Sequence, residues 1–157
     1  MQTVKEEIVV KGSDVDKFMT FTLGNQTFAI EIDYVIEIIG LQKITPFPKA
    51  KHYVKGMINL RGKIIPLLDM RLYFDMEEKP YNDRTCVIVV SANDNLIGFI
   101  VDSVSEVISI PDENISEPPN IKSAGETEHL KGIGKIDGNV ALILNFHELI
   151  TSSNFIN

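Results

Sequence analysis

The sequence predicts a mainly all-β protein, built as two small antiparallel β-barrels or half-barrels related by a pseudo-twofold axis. Three observations lead there. β-rich runs are split by short turn signals, prolines fall in the connections, and the runs recur in two blocks of matching pattern.

The elements follow in order. Residues 1–16 mix charges with small residues and read as a flexible N-terminal tail. "KFMTFTLGNQTFAIEID" (17–33) is an apolar run, a turn and a second apolar run, which predicts a hairpin. "TCVIVVSANDNLIGFIVD" (85–102) repeats that plan. "GMINLRGKIIPLLD" (56–69) and "GIGKIDGNVALILN" (132–145) are two more hairpins, turning at Arg61-Gly62 and Asp137-Gly138. Pro46, Pro48, Pro80, Pro111, Pro118 and Pro119 punctuate the connections, and "FHELITSS" (146–153) predicts a short closing helix. The folded unit is expected over 17–152, with 153–157 as a C-terminal tail.

The repeats can be aligned without gaps. "AIEIDYVIEII" (29–39) pairs with "GFIVDSVSEVI" (98–108), so Asp33, Val35 and Glu37 meet Asp102, Val104 and Glu106. "VKGMINLRGKIIPLLDM" (54–70) pairs with "LKGIGKIDGNVALILNF" (130–146), matching Lys55, Gly56, Gly62 and Leu68 to Lys131, Gly132, Gly138 and Leu144. The offset grows from 69 to 76, which places a seven-residue insertion between Ile108 and Leu130. Each half alone would have a thin core, so the halves are expected to pack on each other.

Shared glycines mark bends or positive φ. Differences point to function, because duplication alone would not create them. Asp137-Gly138 is ordinary turn chemistry, whereas Arg61-Gly62 presents a guanidinium; a three-residue loop with Gly62 as a bulge would spare Arg61 a left-handed backbone. Pro66 stands where the second copy has Leu142 and marks an edge strand or bulge. If the repeats meet at a junction, Val35 and Val104 would line one groove near Glu37 and Arg61, suited to a partner's amphipathic helix.

Composition narrows the function. The net charge is −7 and tryptophan is absent, which disfavours nucleic acid. No apolar stretch is long enough for a membrane helix, and the charged start is unlike a secretory signal, so a cytoplasmic protein is expected. His52, His129 and His147 lack ligand spacing, and Cys86 sits in an apolar strand-like run, as a buried small hydrophobe would. No nucleophile elbow or phosphate loop is present, and the carboxylates Asp69 and Asp102 have no spacing that pairs them. The expectation is a binding module that is no enzyme and takes no metal or cofactor. A nucleic-acid-binding double barrel and a carboxylate hydrolase are the competing readings.

"ITPFPKAKHYVKGMINLRGKIIPLLDMRLYF", with "FTLGNQTFAIEIDYVIEIIG" before it and "NLIGFIVDSVSEVISI" after, resembles the CheW family of chemotaxis coupling proteins over about residues 18–150. The most specific piece is G-x-x-N-L-R-G-x-I-I-P. The resemblance implies two five-stranded SH3-like β-barrels, intertwined in one CheW-like domain, with no catalytic activity. It implies two partners, the cytoplasmic tip of chemoreceptors and the regulatory domain of the CheA histidine kinase, in arrays at the inner face of the membrane. The protein would be a monomer in isolation and would not enter the bilayer. Carried over, the receptor groove would comprise Asn59, Arg61 and Glu37 with apolar Met19, Ile32, Val35 and Val104. The kinase contact would use Ile44, Pro46, Phe47 and Pro48 at the end of a barrel. Ile39 stands where the family often carries a basic residue.

Overall fold

The computed structural model describes residues 16–118 and 129–152. Apart from Asp16, both expected tails lie outside these residues, as does the stretch 119–128 of the segment that holds the insertion.

The first half supplies β1 (Lys17–Leu23), β2 (Gln26–Glu31), β3 (Val35–Gly40), β4 (Val54–Leu60), β5 (Lys63–Asp69) and the one-turn helix α1 (Met70–Tyr73). The second supplies β6 (Cys86–Ala92), β7 (Asn95–Val101), β8 (Ser103–Ser109), the two-residue β9 (Ile115–Ser116), β10 (Leu130–Ile136), β11 (Asn139–Leu144) and α2 (Phe146–Ser152). All four expected hairpins form, as does the closing helix, whose first turn is capped by Asn145 Oδ1 accepting from the Glu148 amide at 3.1 Å.

The strands make two sheets, ordered β8-β1-β2-β11-β10-β9 and β3-β6-β7-β5-β4. Exchanging each strand for its repeat turns the second order into the first. The duplication reaches single residue pairs: the parallel contact Leu67–Gly98 between β5 and β7 recurs as Ile143–Ala29 between β11 and β2. Bulges recur too, between Val54 and Gly56 and between Leu130 and Gly132. One sheet departs from the expected five strands, because β9 adds a short rung beside β10.

Each sheet mixes the halves. The hairpin β1–β2 joins strands of the second half, while β6–β7 is flanked by β3 and β5 of the first. The alternating apolar positions of both hairpins therefore face a shared interior. Phe21, Ile30, Ile88 and Phe99 are fully or almost fully buried in one cluster that also takes Phe146 and Leu149 from α2. Tyr34 stacks on Phe146 at 4.1 Å, seating the closing helix over the junction.

Pro66 lies on β5 opposite Met57, one residue before pairing to β7 begins at Leu67. Its missing amide thus falls where β5 has no second neighbour, which is the edge-like site its sequence predicts.

Candidate interaction site

The Arg61-Gly62 turn is tighter than the sequence suggests. Leu60 pairs directly with Lys63, so the loop has two residues, and both take positive φ, +52° for Arg61 and +87° for Gly62. The three-residue bulged loop is corrected: Arg61 does hold a left-handed backbone. Asp137 and Gly138 do the same at +48° and +80°. Two such residues match the right-handed twist of the flanking strands, which explains the local cost. Asn59 Oδ1 accepts from the Gly62 amide at 2.9 Å and stiffens the turn.

From this turn Arg61 reaches the Glu37 carboxylate on β3, donating from Nη2 to Oε1. β3 and β4 are the two outer strands of their sheet, so the ion pair ties opposite edges together. The pair is lopsided: the Arg61 side chain is 68% exposed and that of Glu37 only 9%. A nearly buried carboxylate thus presents an oriented, accessible guanidinium.

The apolar members of the expected groove separate. Met19, Ile32 and Val35 are fully buried in the core, so their side chains offer no surface, whereas Val104 is half-buried at the core's margin. Placing Met19, Ile32 and Val35 on a groove wall is therefore corrected; packing from the other sheet covers them. The exposed apolar residue near Glu37 is Ile36, 40% exposed at the β3 bulge, which sequence pattern did not single out.

Ile44, Pro46, Phe47 and Pro48 lie on the segment before β4, where Thr45 pairs with Met57 through amide-to-carbonyl bonds of 2.8 and 2.9 Å. Pro46 and Pro48 are exposed; Ile44 and Phe47 are half-buried, each against a different core cluster. This segment passes so close to Gly56 that a Cβ there would meet the Thr45 carbonyl oxygen at 2.2 Å.

A second polar cluster went unread in the sequence. Arg71 of α1 donates from Nε to Asp102 Oδ1 at 2.8 Å and from Nη2 to Oδ2, while the Gly24 amide donates to Oδ2 at 2.7 Å. Asp69 caps α1, accepting from the amides of Arg71 and Leu72, and also accepts from the Tyr81 hydroxyl at 2.8 Å. Burial opposes ionisation of Asp102, yet the Arg71 hydrogen bonds, the Gly24 amide and the guanidinium charge outweigh it and hold the carboxyl below its ordinary value. Asp69 and Asp102 are thus each engaged by their own donors. Burial pushes the Cys86 thiol up, leaving a poor nucleophile. Among the described residues no group of His, Cys, Asp or Glu has the makings of a metal site.

A family model described as "CheW-like domain" matches residues 17–154. The chain is 34% identical over 136 residues to a protein of Klebsiella aerogenes named chemotaxis protein CheW, covering 87% of this chain and 82% of that one. It is 33% identical over 138 residues to the Helicobacter pylori protein of the same name, with the same coverages. The fold matches the crystal structure of the scaffolding protein TtCheW from Thermoanaerobacter tengcongensis with a TM-score of 0.80 and 32% identity, covering 86% of this chain and 92% of that one.

Proposed function

Because this chain belongs to the CheW-like family, we propose that it is a non-enzymatic chemotaxis adaptor, coupling chemoreceptors to the CheA histidine kinase. Its place is the cytoplasmic side of the membrane; no helix among the described residues is long and apolar enough to cross one. The observation that carries the receptor assignment is the Arg61–Glu37 pair. Of the two repeats, only this one turns on a cation, and its fixed carboxylate partner aims it outward.

The receptor's helical tip lies across Arg61, Asn59, Ile36 and Val104, with Met19, Ile32 and Val35 supporting that surface from beneath. Arg61 orients the helix while the apolar residues supply contact area. The kinase regulatory domain meets Pro46 and Pro48, with Ile44 and Phe47 anchoring their segment. Two separate faces let one molecule bridge both partners, and weak contacts gain strength when repeated across an array.

The test is an NMR titration of backbone amides with a receptor-tip fragment and, separately, the CheA regulatory domain. Receptor should shift Asn59, Arg61 and Ile36, and kinase the 44–48 segment. Absence of saturable shifts with both partners at high micromolar concentration would remove the adaptor assignment.

A further inference from the structure

The repeats share a backbone plan but fill it differently. In the sheet β3-β6-β7-β5-β4, Ile58, Ile65 and Val89 are buried, and Arg61 closes the gap to Glu37. Their repeats in the other sheet are Gly134, Ala141, Thr20 and Asp137, with Glu106 in place of Glu37. Two isoleucines have become glycine and alanine, and the cation has become a carboxylate.

A cleft of about 500 Å³ opens there, lined by Thr20, Glu106, Gly134, Ile136, Asp137 and Ala141 among others. Ile110 fills part of the lost volume, approaching to 3.0 Å from where a Gly134 Cβ would stand, but does not close the cleft. Val140 stands on its rim, 50% exposed. Among the described residues neither Glu106 nor Asp137 has a cation within salt-bridge distance. Among the described residues the Thr20 hydroxyl bonds the Glu106 backbone, donating to its carbonyl at 2.8 Å and accepting from its amide at 3.2 Å.

We propose that this cleft is a second docking site, and that it receives an arginine side chain from a segment of a partner protein. The occupant is argued by complementarity. The first repeat fills the equivalent space with isoleucine side chains and an arginine, so an incoming arginine with flanking apolar residues supplies what the second repeat lacks. Its methylene stem fits the floor made by Ile136 and Ala141. Its guanidinium, weakly hydrated and carrying five donors, suits two carboxylates on different elements better than a lysine ammonium does. The site lies on the other sheet from the Arg61 turn and does not rest on the adaptor assignment.

The experiment is an NMR titration of the full chain with the peptide Ac-Ala-Leu-Arg-Leu-Ala-NH2 and with its citrulline counterpart, which keeps the shape but loses the charge. Saturable shifts are expected at the amides of Gly134, Asp137, Ala141 and Thr27, with the citrulline peptide at least fivefold weaker. The double change Glu106→Gln, Asp137→Asn should erase that preference. Ala141→Ile, which restores the residue found at position 65, should abolish binding of both peptides while leaving the thermal transition unchanged or higher. No saturable shift in the low millimolar range, equal binding of both peptides, or shifts centred on Glu37 and Arg61 would each overturn the proposal.

Discussion

Arg61 occupies a position its own turn resists, since a left-handed backbone costs a non-glycine residue about 1 kcal/mol. The bond to Glu37 offsets that cost and prevents a nearly buried carboxylate from standing alone. Arg61→Ala should stay folded and lose about 1 kcal/mol in urea denaturation, because guanidinium exposure screens the pair. In a double-mutant cycle with Glu37→Gln the double mutant should lose less than the sum of the two single losses, with a coupling near 1 kcal/mol. The same Arg61→Ala change should weaken receptor binding far more than kinase binding. Asp102 offers a pH test. A carboxyl held low in the fold stabilises it above the ordinary value of 3.8, and that contribution fades as pH falls through the lower, folded value. Asp102→Asn should cost about 2–3 kcal/mol at neutral pH, since it leaves Arg71 buried without its anion. Its stability should then fall less than the native protein's between pH 5 and 2. Arg61 was legible because a duplicated plan exposed it as a difference. The burial of Val35 and Met19 was not, because an apolar residue reads alike whether a partner or the other sheet covers it. The Arg71–Asp102 bond joins residues 31 positions apart and leaves no local spacing to detect.

Elements here are fixed by turns and close approaches. Asp-Gly, the run lengths and the alternation of apolar residues made the hairpins readable. Glycine at 56 and 132 was readable as special, but for two different reasons. Gly56 has φ +149° and faces the Thr45 carbonyl oxygen at 2.2 Å, whereas Gly132 has no positive φ and meets the Ile115 Cγ2 at 2.7 Å and the Ser116 carbonyl oxygen at 2.9 Å. Both positions face a neighbouring carbonyl, but only Gly56 adds a positive φ, and its approach is the closer. Gly56→Ala should therefore cost about 3 kcal/mol or more, and Gly132→Ala distinctly less, when compared by chemical denaturation. Because Thr45 is what Gly56→Ala would push aside, amide shifts should spread through 44–48, and kinase binding should fall with them. Gly62→Ala meets no neighbour within 4 Å, so its cost should reflect φ +87° alone, about 1 kcal/mol.

At the scale of the molecule, the repeats announced two related units but not how their strands are shared. Hairpin signals are local; which hairpin lies beside which strand is decided by long-range packing. The outcome is that neither half of the chain owns a complete sheet. Fragments 1–84 and 85–157 should each lack β structure by circular dichroism, and regain it on mixing. The intact chain should unfold in one calorimetric transition. The β9 rung was not legible in the sequence for a similar reason, since two residues carry no periodicity.

The parallel pairing of β2 with β11 has a consequence for synthesis. The sheet β3-β6-β7-β5-β4 has all its strands once the ribosome has released Val101, whereas β2 must wait for β11, which ends at Leu144. During that interval the first hairpin emerges with Phe21, Phe28 and Ile30 uncovered, while later-made strands are already able to pair. A hairpin made before its neighbours is thus among the last to be enclosed. A nascent chain stalled before β10 should display that hairpin to chaperones, and release of the final strands should end the exposure.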